Sequence, residues 1–106
     1  MEIVFVQKYL MELYTSGHTS EKKRRLQPSV ISKYIQTIDK LRSARSTEDL
    51  FVIRSLNYKK LQGDKRGLAS VRINNQYRIE FYTINDSKNG SRITICNILE
   101  ISNHYS

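Results

Sequence analysis

The chain changes its hydrophobic period partway along. Val30, Ile31, Tyr34, Ile35, Ile38 and Leu41 recur at three- and four-residue steps, whereas from Val71 onward apolar and polar residues alternate. The first pattern marks one face of a helix and the second one face of a pleated strand. Helical stripes first and alternation last predict an α+β fold, with N-terminal helices packed on one face of a small antiparallel sheet. With 106 residues the expectation is one domain, 1–106.

Residues 1–5 read as a short strand or an entry into a helix. Val6, Tyr9, Leu10 and Leu13 then predict an amphipathic helix from Phe5 to Tyr14, stopped by Gly17. Pro28 suits the first turn of a second helix, about Pro28 to Ser43, because its missing N–H costs nothing there. Thr47-Glu48-Asp49 caps a short helical segment carrying Leu50, Phe51 and Ile53. Val71 and Ile73 begin the alternation, and Asn74-Asn75-Gln76 makes a tight turn. Tyr77, Ile79, Phe81 and Thr83 form the apolar side of the next strand. After a looser turn through Asn89-Gly90, Ile93, Ile95, Leu99 and Ile101 share one face of a last strand, Arg92 to Ser102. Asn97 interrupts that face, as a bulge or a sheet-edge position.

Eighteen Lys and Arg against ten Asp and Glu leave a net charge of +8. On so short a chain that points to a polyanionic partner. No apolar run approaches the ~20 residues of a membrane span. No secretory leader is visible, and Cys96 is the only cysteine, so a reducing cytoplasm fits. Cys96 reads as a buried small hydrophobe. The run Glu21 to Arg25 is either a solvated segment or a phosphate-contacting patch.

The polar side of the alternation carries the chemistry. Period two places Arg72, Arg78, Glu80 and Tyr82 away from Val71, Ile79 and Phe81. Glu100, Ser102 and His104 continue the same phase on the last strand, and Lys59, Lys60, Lys65 and Arg66 flank it. Arginine forks hold phosphates and tyrosine rings stack on unstacked bases. Cleavage through a ribose 2′-hydroxyl needs a base, an acid and a cation for the charged phosphorane. His104 titrates near neutrality and suits either proton-transfer role. Lys59 does so if neighbouring cations lower its pKa. Arg78 can only stabilise charge, and it could instead pair with Glu80 or Glu100 across the sheet. His104, near the terminus, is otherwise a bystander. Two distant histidines and one cysteine make no metal cluster, and no cofactor motif is present.

Leu61-Gln62-Gly63-Asp64-Lys65-Arg66-Gly67, followed by Ser70-Val71-Arg72-Ile73-Asn74-Asn75-Gln76-Tyr77-Arg78-Ile79-Glu80-Phe81, resembles the signature of HigB-type toxins of the RelE/ParE superfamily. The resemblance is close over about a fifth of the chain. It implies a RelE-like fold and a ribosome-dependent endoribonuclease that cuts mRNA. It also implies a helix-turn-helix antitoxin, with operator DNA reached only through the antitoxin complex. By position, Arg78 matches the family's strand arginine near the scissile phosphate and His104 its terminal histidine. Lys59 falls where many members place a catalytic histidine. Lys60, Lys65, Arg66, Arg72 and Tyr82 are the accompanying RNA-contact candidates. Ser102 and Asn103 stand where the family usually has Asp and Tyr, Gln62 where Lys is usual, and Ala69 where an aromatic is usual. Those departures leave activity weakened, rerouted through Lys59 and Tyr82, or lost. Two other readings stay open: a toxin of this fold that binds a protein such as gyrase, and a catalytically impaired module binding RNA or antitoxin.

Overall fold

The structure, a computed structural model, describes residues 1–103 and, at Lys88, the backbone only. Strand β1 (Glu2–Phe5) leads into helix α1 (Lys8–Ser16), and helices α2 (Pro28–Ser43) and α3 (Thr47–Phe51) follow. Strands β2 (Lys59–Lys60), β3 (Ala69–Arg72), β4 (Tyr77–Lys88) and β5 (Ser91–Asn103) complete the sheet, in the order β1-β5-β4-β3-β2. The fold class is the α+β class expected, but the sheet is mixed. Neighbours from β2 to β5 run antiparallel, and β1 pairs with β5 in parallel. A parallel pair needs a long connection, and here the rest of the chain provides it.

The helices form where the stripes place them. Helix α1 starts at Lys8 rather than Phe5, because the Val6 N–H is still bonded to the Ile98 carbonyl at 2.9 Å and extends the β1 ladder. Gly17, at φ 70°, ends α1 in the left-handed region and donates to the Leu13 carbonyl at 3.1 Å. Helix α2 begins at Pro28 and buries Val30, Tyr34, Thr37, Ile38 and Leu41.

These stripes meet Val71, Ile79, Phe81, Cys96, Ile98 and Ile101 on one face of the sheet. Full burial of such side chains contributes about 1.5–3 kcal/mol each. Two tyrosines add hydrogen bonds between elements, one joining α2 to α1 and one joining α1 to β5. The Tyr34 hydroxyl donates to the Leu10 carbonyl at 2.8 Å. The Tyr9 hydroxyl accepts the Ile101 N–H at 3.0 Å, beyond the point where β1 stops pairing with β5.

Strand β5 departs from its predicted phase. Glu80 faces Glu100 and Phe81 faces Ile98, so Leu99 is the extra residue of a bulge. The bulge puts Cys96 and Ile98 in the core along with Ile101, and leaves Ile95 paired with Ile84 on the opposite face. Asn97 is therefore neither the bulged residue nor at an edge. It faces Tyr82 on β4 and Val4 on β1. Among the described residues no helix is long and apolar enough to cross a membrane.

Candidate functional site

The sheet face turned away from α1 and α2 is the polar one. Two rows cross it. Arg72, Arg78 and Ser102 are successive cross-strand partners on β3, β4 and β5. Lys59, Ser70, Glu80 and Glu100 form the next row, across β2 to β5. The juxtaposition follows from period two and from the short Asn74–Gln76 turn that fixes the β3–β4 register. In that turn the Asn74 Oδ1 accepts the Gln76 N–H at 2.9 Å and the Tyr77 N–H at 2.7 Å.

Arg78 lies in the floor, only 7% exposed. Its Nε donates to Ser70 Oγ and its Nη2 to the Asn57 carbonyl, each at 2.9 Å. Asn57 takes a left-handed conformation, φ 44°, at the end of a 3-10 turn spanning Arg54–Leu56, and that bend turns its carbonyl toward the guanidinium. Both acceptors are neutral. Burial, and then the charge of Arg72, push the Arg78 pKa down against the smaller opposing pull of Glu80, but a guanidinium stays protonated in any accessible range.

The carboxylate that alternation offers to Arg78 is taken elsewhere. Glu80, 5% exposed, accepts from Lys65 Nζ at 2.7 Å. That hydrogen bond raises the Lys65 pKa. Among the described residues Arg78 enters no ion pair. The result is a cation in the sheet floor held by neutral oxygens. Several kcal/mol of desolvation oppose such an arrangement unless an anion joins it.

The other predicted residues divide into groups. Arg72 is half-buried and its Nη2 donates to Asn75 Oδ1. Lys59 is exposed on the Arg78 face, opposite Ser70. Lys60 has the reverse phase, opposite Ala69, and lines a cleft with Arg66 and Tyr82 instead. Lys65 is committed to Glu80. His104 lies outside the described residues, although Ser102, two positions before it, is the cross-strand partner of Arg78.

The charge run folds at the same end of the sheet. Lys23, Arg24 and Arg25 line a cleft with Tyr77, Ser102 and Asn103. Arg24 lies over the Tyr9 ring at 4.7 Å and 4.0 Å from Glu21, whereas Lys22, Lys23 and Arg25 are exposed. Cys96 is buried and its thiol is pushed up to about 12 by desolvation, so it is no nucleophile. Among the described residues no three metal-binding side chains converge.

Ser70 and Asn57, which hold Arg78, were not among the predicted site residues. Ser70 was legible as part of the polar phase. Asn57 sits in irregular chain, and its role depends on a backbone conformation that no local pattern announces.

A family model described as the RelE-like toxin HigB of type II toxin–antitoxin systems matches residues 3–92. The match ends before Ser102. Toxin HigB-1 of Vibrio cholerae serotype O1 (strain ATCC 39315 / El Tor Inaba N16961) is 30% identical over 82 residues, covering 76% of this chain and 82% of that protein. The solved YoeB/ParE toxin from Agrobacterium tumefaciens superposes with a TM-score of 0.54 at 17% identity, covering 99% of this chain and all of that one, which shows a shared fold. A type II system pairs such a toxin with an antitoxin, which supplies one partner. The chain belongs to the HigB-like toxins, RelE-like members of type II toxin–antitoxin systems.

Proposed function

We propose that this toxin is a ribosome-dependent mRNA endoribonuclease, a single catalytic domain that acts in the cytoplasm without a metal. The observation that carries the reading is the buried guanidinium of Arg78, held by Ser70 and Asn57 with no carboxylate in ion-pair contact among the described residues. Arg72 stands opposite it, so two cations converge where one anion would be held. A scissile phosphate is such an anion, and its negative charge grows in the phosphorane transition state.

In this mechanism the ribose 2′-hydroxyl attacks its own 3′-phosphate, and the leaving group is the 5′-oxygen of the next nucleotide. One proton leaves the 2′-oxygen and one arrives at the 5′-oxygen. Lys59 and His104 are assigned to those transfers, and Arg78 to the charge on the non-bridging oxygens. Arg72 and the exposed cations orient the strand. The ribosome presents the mRNA, and a helix-turn-helix antitoxin restrains the toxin and carries the pair to operator DNA.

The test is induced expression without antitoxin, with mRNA 3′ ends mapped genome-wide. The reading expects growth arrest and cuts inside translated codons, both lost in Arg78→Ala and His104→Ala chains. Arrest with intact mRNA overturns it. Blocked gyrase supercoiling by the purified protein would then identify a protein-binding toxin.

A further inference from the structure

The β3–β4 ladder ends where Ala69 faces Phe81, while β4 runs on to Lys88. Between this bare stretch of β4 and the loop joining β2 to β3 lies an open cleft of about 490 Å³. It falls within the size range of small-ligand sites. Its lining includes the rings of Tyr58 and Tyr82, the cations Lys60 and Arg66, and neutral polar side chains such as Thr47 and Gln62.

Tyr58 is fixed from behind. Its ring meets Phe51 edge-on at 4.7 Å and lies 6.2 Å from Phe81, in a tilted arrangement. Among the described residues neither Lys60 nor Arg66 enters an ion pair. Tyr82 shares the polar face with Arg78, four residues further along β4, or roughly 13 Å. Strand β2 links the two places. Its consecutive residues point to opposite faces, Lys59 to the Arg78 floor and Lys60 to this cleft.

Rings for a π-face, amide and hydroxyl groups for a base edge and cations for the adjoining phosphate are the set that captures an unstacked nucleotide. We infer that this cleft is a nucleobase subsite. It takes one splayed base of the strand whose scissile phosphate lies over Arg78, a few nucleotides from the cut, and gives the toxin a base preference there. The inference rests on the ribonuclease reading and goes beyond it. A peptide strand pairing with the bare edge of β4 is the other occupant such a slot admits. The rings interleaved with unpaired cations, and the position of Tyr82, which carries the Arg78 phase to the bare edge of β4 where the cleft opens, favour RNA.

The experiment uses ribosomes programmed with mRNAs identical except for one abasic nucleotide, moved through each position around the cut. Wild type should lose about tenfold in cleavage rate at one position. Tyr82→Ala should be slower by a similar factor on intact mRNA and indifferent to the abasic site at that position alone. Gln62→Ala, at an exposed position, should keep the fold and change the ranking of the four bases there. The inference is overturned if no position stands out, or if both proteins respond equally at every position. It is also overturned if Tyr82→Ala cuts like wild type but binds antitoxin more weakly, the result expected of a peptide slot. Failure of wild type to cut any of these mRNAs overturns the ribonuclease reading, and the subsite with it.

Discussion

Replacing Arg78 by Met removes the charge and keeps an unbranched side chain of similar reach. The folded protein then loses two hydrogen bonds to a cation, to Ser70 Oγ and the Asn57 carbonyl. Such bonds contribute about 1.5–3 kcal/mol each. It is also relieved of holding a guanidinium out of water with no carboxylate in ion-pair contact, an effective penalty of several kcal/mol. The terms oppose and are of similar size, so Arg78→Met should unfold in urea within about 1 kcal/mol of wild type. Arg78→Ala, which adds a void, should cost about 2–3 kcal/mol. Anions separate a waiting phosphate site from a structural arginine. Sulfate at ten times its dissociation constant should add about 1.4 kcal/mol to wild type through binding. Its general exclusion from protein surfaces acts on both chains, so only their difference reads the site. A loss above about 3 kcal/mol in Arg78→Met, or an equal gain from sulfate in both proteins, would refute the reasoning.

Lys65→Met leaves the Glu80 carboxylate buried and unpaired. Because Lys65 is half exposed, the cost should be about 1–2 kcal/mol rather than that of a fully buried pair, and Glu80→Gln in the same chain should restore most of it; additive losses in urea melts would count against the pairing. Tyr9→Phe deprives the Ile101 N–H of its acceptor. It should cost about 1–2 kcal/mol and speed hydrogen exchange at that amide, so unchanged protection there would contradict the assignment. Burial holds the Tyr34 proton well above the ordinary tyrosine range. Above about pH 10 the unfolded chain releases this proton while the folded chain keeps it, so stability falls as pH rises. Tyr34→Phe should lose about 1 kcal/mol at neutral pH and show a shallower alkaline decline; an identical decline would mean other groups cause it.

The helices were legible because each carries its own signal. The α2 stripe and Pro28 coincide with the observed Pro28–Ser43. Strand β1 was only suggested, and its parallel pairing with residues 95–98 involves two segments with nothing local in common. The face of β5 departs from its simple alternation for a physical reason. Ile93 to Ile101 looks like one alternation, but the Leu99 bulge resets the phase midway and delivers Cys96 and Ile98 to the core. The same rule worked on β3 and β4, which put Arg72 and Arg78 side by side. It did not reveal that Lys65 would claim Glu80, because that depends on how the Gly63–Lys65 turn folds back over the sheet. The sequence places Lys59 and Lys60 both beside the polar face, but the pairing of β2 with β3 turns adjacent residues to opposite faces.

The pairing of β1 with β5 also bears on how the protein is made. Synthesis delivers Glu2 to Phe5 long before the partners of this strand, Ile95 to Ile98. Contacts so distant along the chain form late, because closing the intervening length must precede any gain from pairing. Until β5 leaves the exit tunnel, β4 also lacks the strand that sets Ser102 beside Arg78. A nascent chain therefore carries the arginines before it has the assembled floor.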